Sequence, residues 1–171
     1  MAHSGRTMRI VAALEDNPPF AVDALVYEED TFLVLSADPD VRDTQENPEP
    51  LLAELQDLEP KEPGTVLVEA GYPLRLLAIV YDLNQEPCWK EEWVIRALDE
   101  ILHLAERQKL RSIALPPLGT LHGSLDQLRF VTLLRQALEK WSPSLLTRLW
   151  LVLSVGTSPK ILEMLELALR K

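Results

Sequence analysis

Residues Ser112–Leu125 read SIALPPLGTLHGSL, an apolar run that ends in a turn holding two glycines, Gly119 and Gly123. A strand that runs into such a turn and then into a helix can hold an anion. Backbone N–H groups and the helix dipole converge there. A glycine lets a phosphate approach the backbone without a Cβ in the way. Ser124 stands where an N-cap of the following helix is expected. Thr120 and Leu121 complete the turn, and His122 adds a ring that can donate to a phosphate or act as an acid or base. The plain alternative is that both glycines only permit a tight strand-to-helix turn, with His122 an exposed loop residue.

Other reactive residue types offer less. Cys88, in QEPCWKEEW, precedes a helix, where a thiol can be acidified. Glu86, Glu91 and Glu92 oppose a thiolate there, so Cys88 is read as non-catalytic. His103 lies off the apolar stripe of its helix and is read as solvent-facing. His3 falls in the N-terminal lead-in and is given no role. One cysteine and scattered histidines supply neither a disulfide nor a metal site. No serine sits in a nucleophile elbow. No catalytic residue, metal or cofactor is therefore assigned.

The elements that must position the turn are legible from periodicity. Met8–Leu14, Ala24–Tyr27, Thr31–Ser36, Thr65–Glu69, Arg75–Leu83, Ser112–Leu118 and Arg148–Ser154 read as strands. Glu49–Leu58, Glu91–Gln108, Leu125–Trp141 and Pro159–Arg170 read as helices. Trp93, Ala97, Ile101 and Leu104 form one stripe of the longest helix, with Leu98 and Ala105 beside it. Ile161, Leu162, Leu165 and Leu169 mark the last helix as core packing. The second half alternates strand and helix, and its strands are continuously apolar, as in sheets buried on both faces. The expected fold is therefore a three-layer α/β/α domain with a mixed, mostly parallel central sheet. Residues 1–7 read as a disordered lead-in or added remnant, and 8–171 as one domain of a size that supports a core.

The chain carries 27 acidic against 17 basic residues, a formal net charge of -10. That argues against a general affinity for nucleic acid. No apolar run is long enough to span a membrane, and the N-terminus lacks the apolar core of a signal peptide. A single cysteine fits the reducing cytoplasm. The acidic segment from Glu28 to Glu62 reads as a solvated face, or else as a docking surface for a basic protein partner.

GTVLVEAGYPLRLLAIVYDL with the helix after it, and RSIALPPLGTLHGSL, resemble the macro domain family. That family has a strand of the type siA-P-lGtG-yG, and Pro116, Leu118, Gly119, Thr120 and Gly123 fall on it in order. Members also carry GDIT and, a fixed distance later, DAIVNAAN. Here Asp16 stands at that distance before Asp23-Ala24-Leu25-Val26. The resemblance covers most of the chain from Met8 onward. It implies a cleft at the strand ends that binds ADP-ribose and related nucleotides, and some members hydrolyse ADP-ribose esters. By resemblance, Asp16 would accept from the adenine amino group. Gly119, Thr120, Leu121, His122 and Gly123 would wrap the pyrophosphate and the distal ribose, and Gly156, between Val155 and Thr157, would lie near the adenosine end.

The chain also departs from that pattern. Tyr27-Glu28-Glu29-Asp30 stand at the NAAN positions, so the asparagine for the distal ribose is missing. No glycine occurs between Asp30 and Pro63, where members have a second glycine loop. Ala37-Asp38-Pro39-Asp40 stand there, with Asp43 and Glu46 nearby, and carboxylates repel a pyrophosphate. Leu121 replaces the middle glycine of the remaining loop. The expectation is a divergent macro-like domain that binds ADP-ribose or a related nucleotide without catalysis. The alternative is a protein-interaction or structural module that retains the fold but has lost the ligand pocket, filled by Tyr27, Leu121 or the 37–50 loop. A third reading, an ADP-ribosyl hydrolase with a rearranged site, would depend on His122.

Overall fold

The structure is a computed structural model that describes residues 8–35 and 60–170. The lead-in 1–7, the acidic loop 37–50 and the helix expected over Glu49–Leu58 lie outside the described residues. The described strands are β1 (Arg9–Leu14), β2 (Ala24–Asp30), β3 (Val66–Glu69), β4 (Leu74–Tyr81), β5 (Ser112–Leu115) and β6 (Arg148–Leu153). The described helices are α1 (Glu91–Arg107), α2 (Gln127–Trp141) and α3 (Pro159–Arg170).

The strands form one sheet in the order β1-β6-β5-β2-β4-β3. Only β3 runs antiparallel to its neighbour. Every other pairing is parallel. Parallel neighbours need a crossover between them. α1 makes the crossover from β4 to β5, and α2 the one from β5 to β6. β5 is buried at every residue and β4 from Leu76 onward, which explains their unbroken apolar sequence. The buried face of α1 includes Trp93, Ala97, Leu98, Ile101, Leu104 and Ala105, the stripe expected from its spacing. α1 packs on α2, α2 on α3, and α3 on β1, so the helices lie side by side along the sheet. The mixed, mostly parallel α/β fold follows the expectation. No described helix is long and apolar enough to cross a membrane.

Polar anchors fix the ends of these elements. At the amino ends of β2 and β5, the Asp23 carboxylate accepts from the backbone of Arg111 at 2.8 Å and of Ser112 at 3.3 Å. Glu106, near the end of α1, accepts from the backbone of Ser144 and Leu145 and from the Ser144 hydroxyl. Those hydrogen bonds, led by the Leu145 N–H, hold its carboxyl below the ordinary value.

Three sequence expectations are corrected. The strand expected over Thr31–Ser36 does not form in its described part, since residues 31–35 turn instead. The Asp30 carboxylate accepts from the N–H groups of Phe32, Val34 and Leu35, which gives those donors a local partner instead of a ladder. β5 stops at Leu115 and not Leu118, because Pro116 and Pro117 have no N–H to extend the ladder. α2 begins after Asp126, whose carboxylate accepts from Leu128 N and Arg129 N, so the N-cap is Asp126 and not Ser124.

Candidate functional site

Because β1, β6, β5, β2 and β4 are parallel, their carboxyl ends and following loops share one end of the sheet. Ligands of open α/β sheets gather at that end. Asp16 follows β1, Gly156 follows β6, and Gly119–Gly123 follow β5. Asp16 is exposed in a turn closed by the Asn17 N–H on the Leu14 carbonyl at 2.9 Å. Gly156 is exposed, and a Cβ there would meet nothing within 4 Å. The strand order thus brings the sequence-predicted residues to one end of the sheet.

The glycine turn is a packed structure. Leu118 and Leu125 are buried at its two sides. The Thr120 hydroxyl donates to the Pro117 carbonyl at 2.7 Å, and Leu125 N–H donates to the Gly119 carbonyl at 3.2 Å. Gly119 adopts φ +80°, a conformation that favours glycine. A Cβ on Gly123 would lie against the Gly119 carbonyl and 2.7–2.8 Å from the Trp89 indole. Trp89 also donates its ring N–H to the Ser124 hydroxyl at 3.2 Å. Gly123 is therefore required by packing, whatever the turn binds.

Beneath the turn lies a carboxylate. Glu28 Oε1 accepts from Gly119 N–H at 2.7 Å and from the Tyr81 hydroxyl at 3.1 Å. The Tyr81 oxygen in turn accepts from His122 N–H at 3.2 Å. The Tyr81 and His122 rings meet edge to face with centroids 5.5 Å apart. Cys88 Sγ donates to the His122 carbonyl at 3.9 Å, which gives it a structural contact in the same cluster. Burial disfavours the Glu28 anion and pushes its carboxyl up to about 7, against the hydrogen bonds from Gly119 and Tyr81. Tyr81 is fully buried, and burial with the Glu28 charge raises its hydroxyl above the ordinary value.

The neighbouring acids are buried too. Glu29 and Asp30 are both 0% exposed, so the start of the acidic segment is not a solvated face. Burial opposes the Asp30 anion. Its hydrogen bonds, from the Glu29 side chain and the N–H groups of Leu35, Phe32 and Val34, prevail and hold it below the ordinary value. The Tyr27 ring lies 4.9 Å under the Arg75 guanidinium. Leu121 is 73% exposed.

Glu28 and Tyr81 were not among the sequence candidates. The signal lay in the alternation of β2, where Ala24 and Val26 are buried and Glu28 continues the same face, before the register shifts between Glu29 and Asp30. His103 is corrected as well. Its ring is half-buried, 4.2 Å from the Trp141 ring, in a groove of about 450 Å³ that Gly64, Val66, Arg96 and Asp99 also line. None of the groove's lining residues belongs to the glycine turn. Among the described residues, no cluster of His, Cys, Asp and Glu could hold a metal ion.

Comparison with known structures follows the same topology. A macrodomain of Oceanobacillus iheyensis, solved with ADP, aligns over 99% of this chain and 94% of its own, with a TM-score of 0.66 and 19% identity. The chain has the macrodomain fold. The macrodomain of Thermus aquaticus DarG aligns over 86% of this chain and 98% of its own, at TM-score 0.58 and 21% identity. The macro domain of ganglioside induced differentiation associated protein 2 aligns over 98% of this chain and 88% of its own, at 0.61 and 16%. No family model matches the sequence, and no curated protein does. In this fold Glu28, Glu29 and Asp30 are tied into the chain's own backbone, at Gly119 and at Leu35.

Proposed function

We propose that this chain is a divergent macro-like domain that binds ADP-ribose or a related nucleotide and does not catalyse its hydrolysis. One observation carries this. In a macrodomain fold, the Gly119–Gly123 turn stands at the carboxyl end of β5, at the same sheet end as Asp16 and Gly156. Asp16, Gly119, Thr120, Leu121, His122, Gly123 and Gly156 are the proposed contacts. The absence of catalysis is argued from Asp30, at the position of the missing asparagine. It is fully buried and spends its carboxylate on Phe32, Val34 and Leu35. The unit is proposed to be one cytoplasmic domain over 8–171.

A second reading has its own support. Glu28 already holds the Gly119 N–H, as expected of a module that keeps the fold and takes a protein partner instead of a nucleotide. Titration calorimetry with ADP-ribose separates the two. Leu121→Glu is the matched variant, because Leu121 is exposed and its replacement leaves the packing intact. Micromolar binding that the variant loses supports the nucleotide site. Absence of heat and of thermal shift with ADP-ribose, AMP and ATP supports the partner module.

A further inference from the structure

The Gly119 N–H, a donor that a phosphate on the turn would use, is held at 2.7 Å by a carboxylate of the chain itself. Tyr81 fixes that carboxylate in place, and its oxygen also takes the N–H of His122. Two backbone donors of one turn are thereby satisfied from within, through a single acid and a single phenol. A phosphate arriving at Gly119 meets an acceptor where it needs a donor, with a second negative charge a few ångströms away. At such a separation and in a poorly solvated site, like charges repel more strongly than they do in water.

We propose that Glu28 is the specificity-determining residue of the turn: it acts as an internal anion that weakens phosphate binding at Gly119, so that within the nucleotide class the site favours the ligand with the fewest phosphates. This rests on the nucleotide reading above and narrows its substrate class. Glu28 is half-buried at the end of a strand, beneath the turn and not on the outer surface. Among the described residues, no ion pair reaches it. Of the titratable side chains, Tyr81 from β4 bonds it directly, while His122 joins through the Tyr81 oxygen and Cys88 through the His122 carbonyl. None of them is a lysine or arginine that would cancel its charge. Its carboxyl, raised to about 7, is largely ionised at pH 8 and largely protonated at pH 5.5.

The test uses the full chain with three probes, adenosine, AMP and ADP-ribose. Affinities are measured by calorimetry at pH 8 and pH 5.5 for the wild type and Glu28→Gln. The readout is the ratio of ADP-ribose to adenosine affinity. At pH 8 the ratio rises at least tenfold in Glu28→Gln over wild type. In the wild type it rises between pH 8 and pH 5.5, and in Glu28→Gln it stays flatter. His122 is present in both proteins, so pH dependence that survives in the variant is not from Glu28. An unchanged ratio at pH 8, or equal pH dependence in both proteins, overturns the proposal while leaving a nucleotide site in place. Should Glu28→Gln fail to fold, Glu28→Ala takes its place with the same two outcomes. If neither protein binds any of the three probes at either pH, the nucleotide reading itself fails and takes this inference with it.

Discussion

Glu28 makes the protein less stable as pH rises from about 5 to 7, and Glu28→Gln removes that slope. In the unfolded chain its carboxyl titrates near 4.5, and in the fold near 7. Below the first value both states hold the proton, and the residue contributes no pH dependence. Between the two values the unfolded chain releases its proton while the folded chain keeps it, so stability falls as pH rises. Above about 7 both states are ionised and the loss is complete. At roughly 1.4 kcal/mol per pH unit, the full effect is about 3 kcal/mol. Asp30 and Glu106 act with the opposite sign, since both are held below their ordinary values of 3.8 and 4.5. Their contribution is lost only as pH falls below that range, and it is common to wild type and Glu28→Gln. The assay is urea unfolding followed by far-UV circular dichroism at pH 5, 6, 7 and 8. In thermal scans the same difference is worth roughly 6–12 °C for a chain of this size. His122 is common to both proteins and cancels in their difference. Equal slopes for wild type and Glu28→Gln would refute burial of the charge.

Other substitutions probe the frame of the site. Gly123→Ala forces a methyl against Trp89 and the Gly119 carbonyl, and is expected to cost about 1–3 kcal/mol in urea unfolding without any ligand present. Asp126→Ala removes the N-cap of α2 and lowers stability by about 1 kcal/mol, whereas Ser124→Ala costs clearly less in the same assay. Phe130→Ala empties a fully buried site on α2 and costs about 3–5 kcal/mol, read from the urea midpoint.

The periodic parts of the chain were legible because burial writes a period into sequence. The stripe of α1 and the unbroken apolar runs of β4 and β5 show their packing directly. Elements ruled by one side chain were not. TFLVLS has the composition of a strand, yet the Asp30 carboxylate, immediately upstream, draws its N–H groups into a turn. The position of the glycine turn was legible for the same reason as β5, which leads into it. Its internal partner was not. Glu28 and Gly119 are 91 residues apart in sequence and meet only through the pairing of β2 with β5 and β4. A run of three acids also reads as solvated surface by composition; the alternation of β2 argues otherwise for Glu28, while the register shift between Glu29 and Asp30 hides the burial of the other two.

The packing of Gly123 has an evolutionary consequence. Trp89 and the Gly119 carbonyl occupy the space a side chain would need, so selection for folding alone suffices to retain this glycine. A lineage can lose its ligand and keep the turn. Gly123 is therefore a poor record of ligand binding, and the residue at position 28, whose carboxylate closes the Gly119 N–H, is the more telling one.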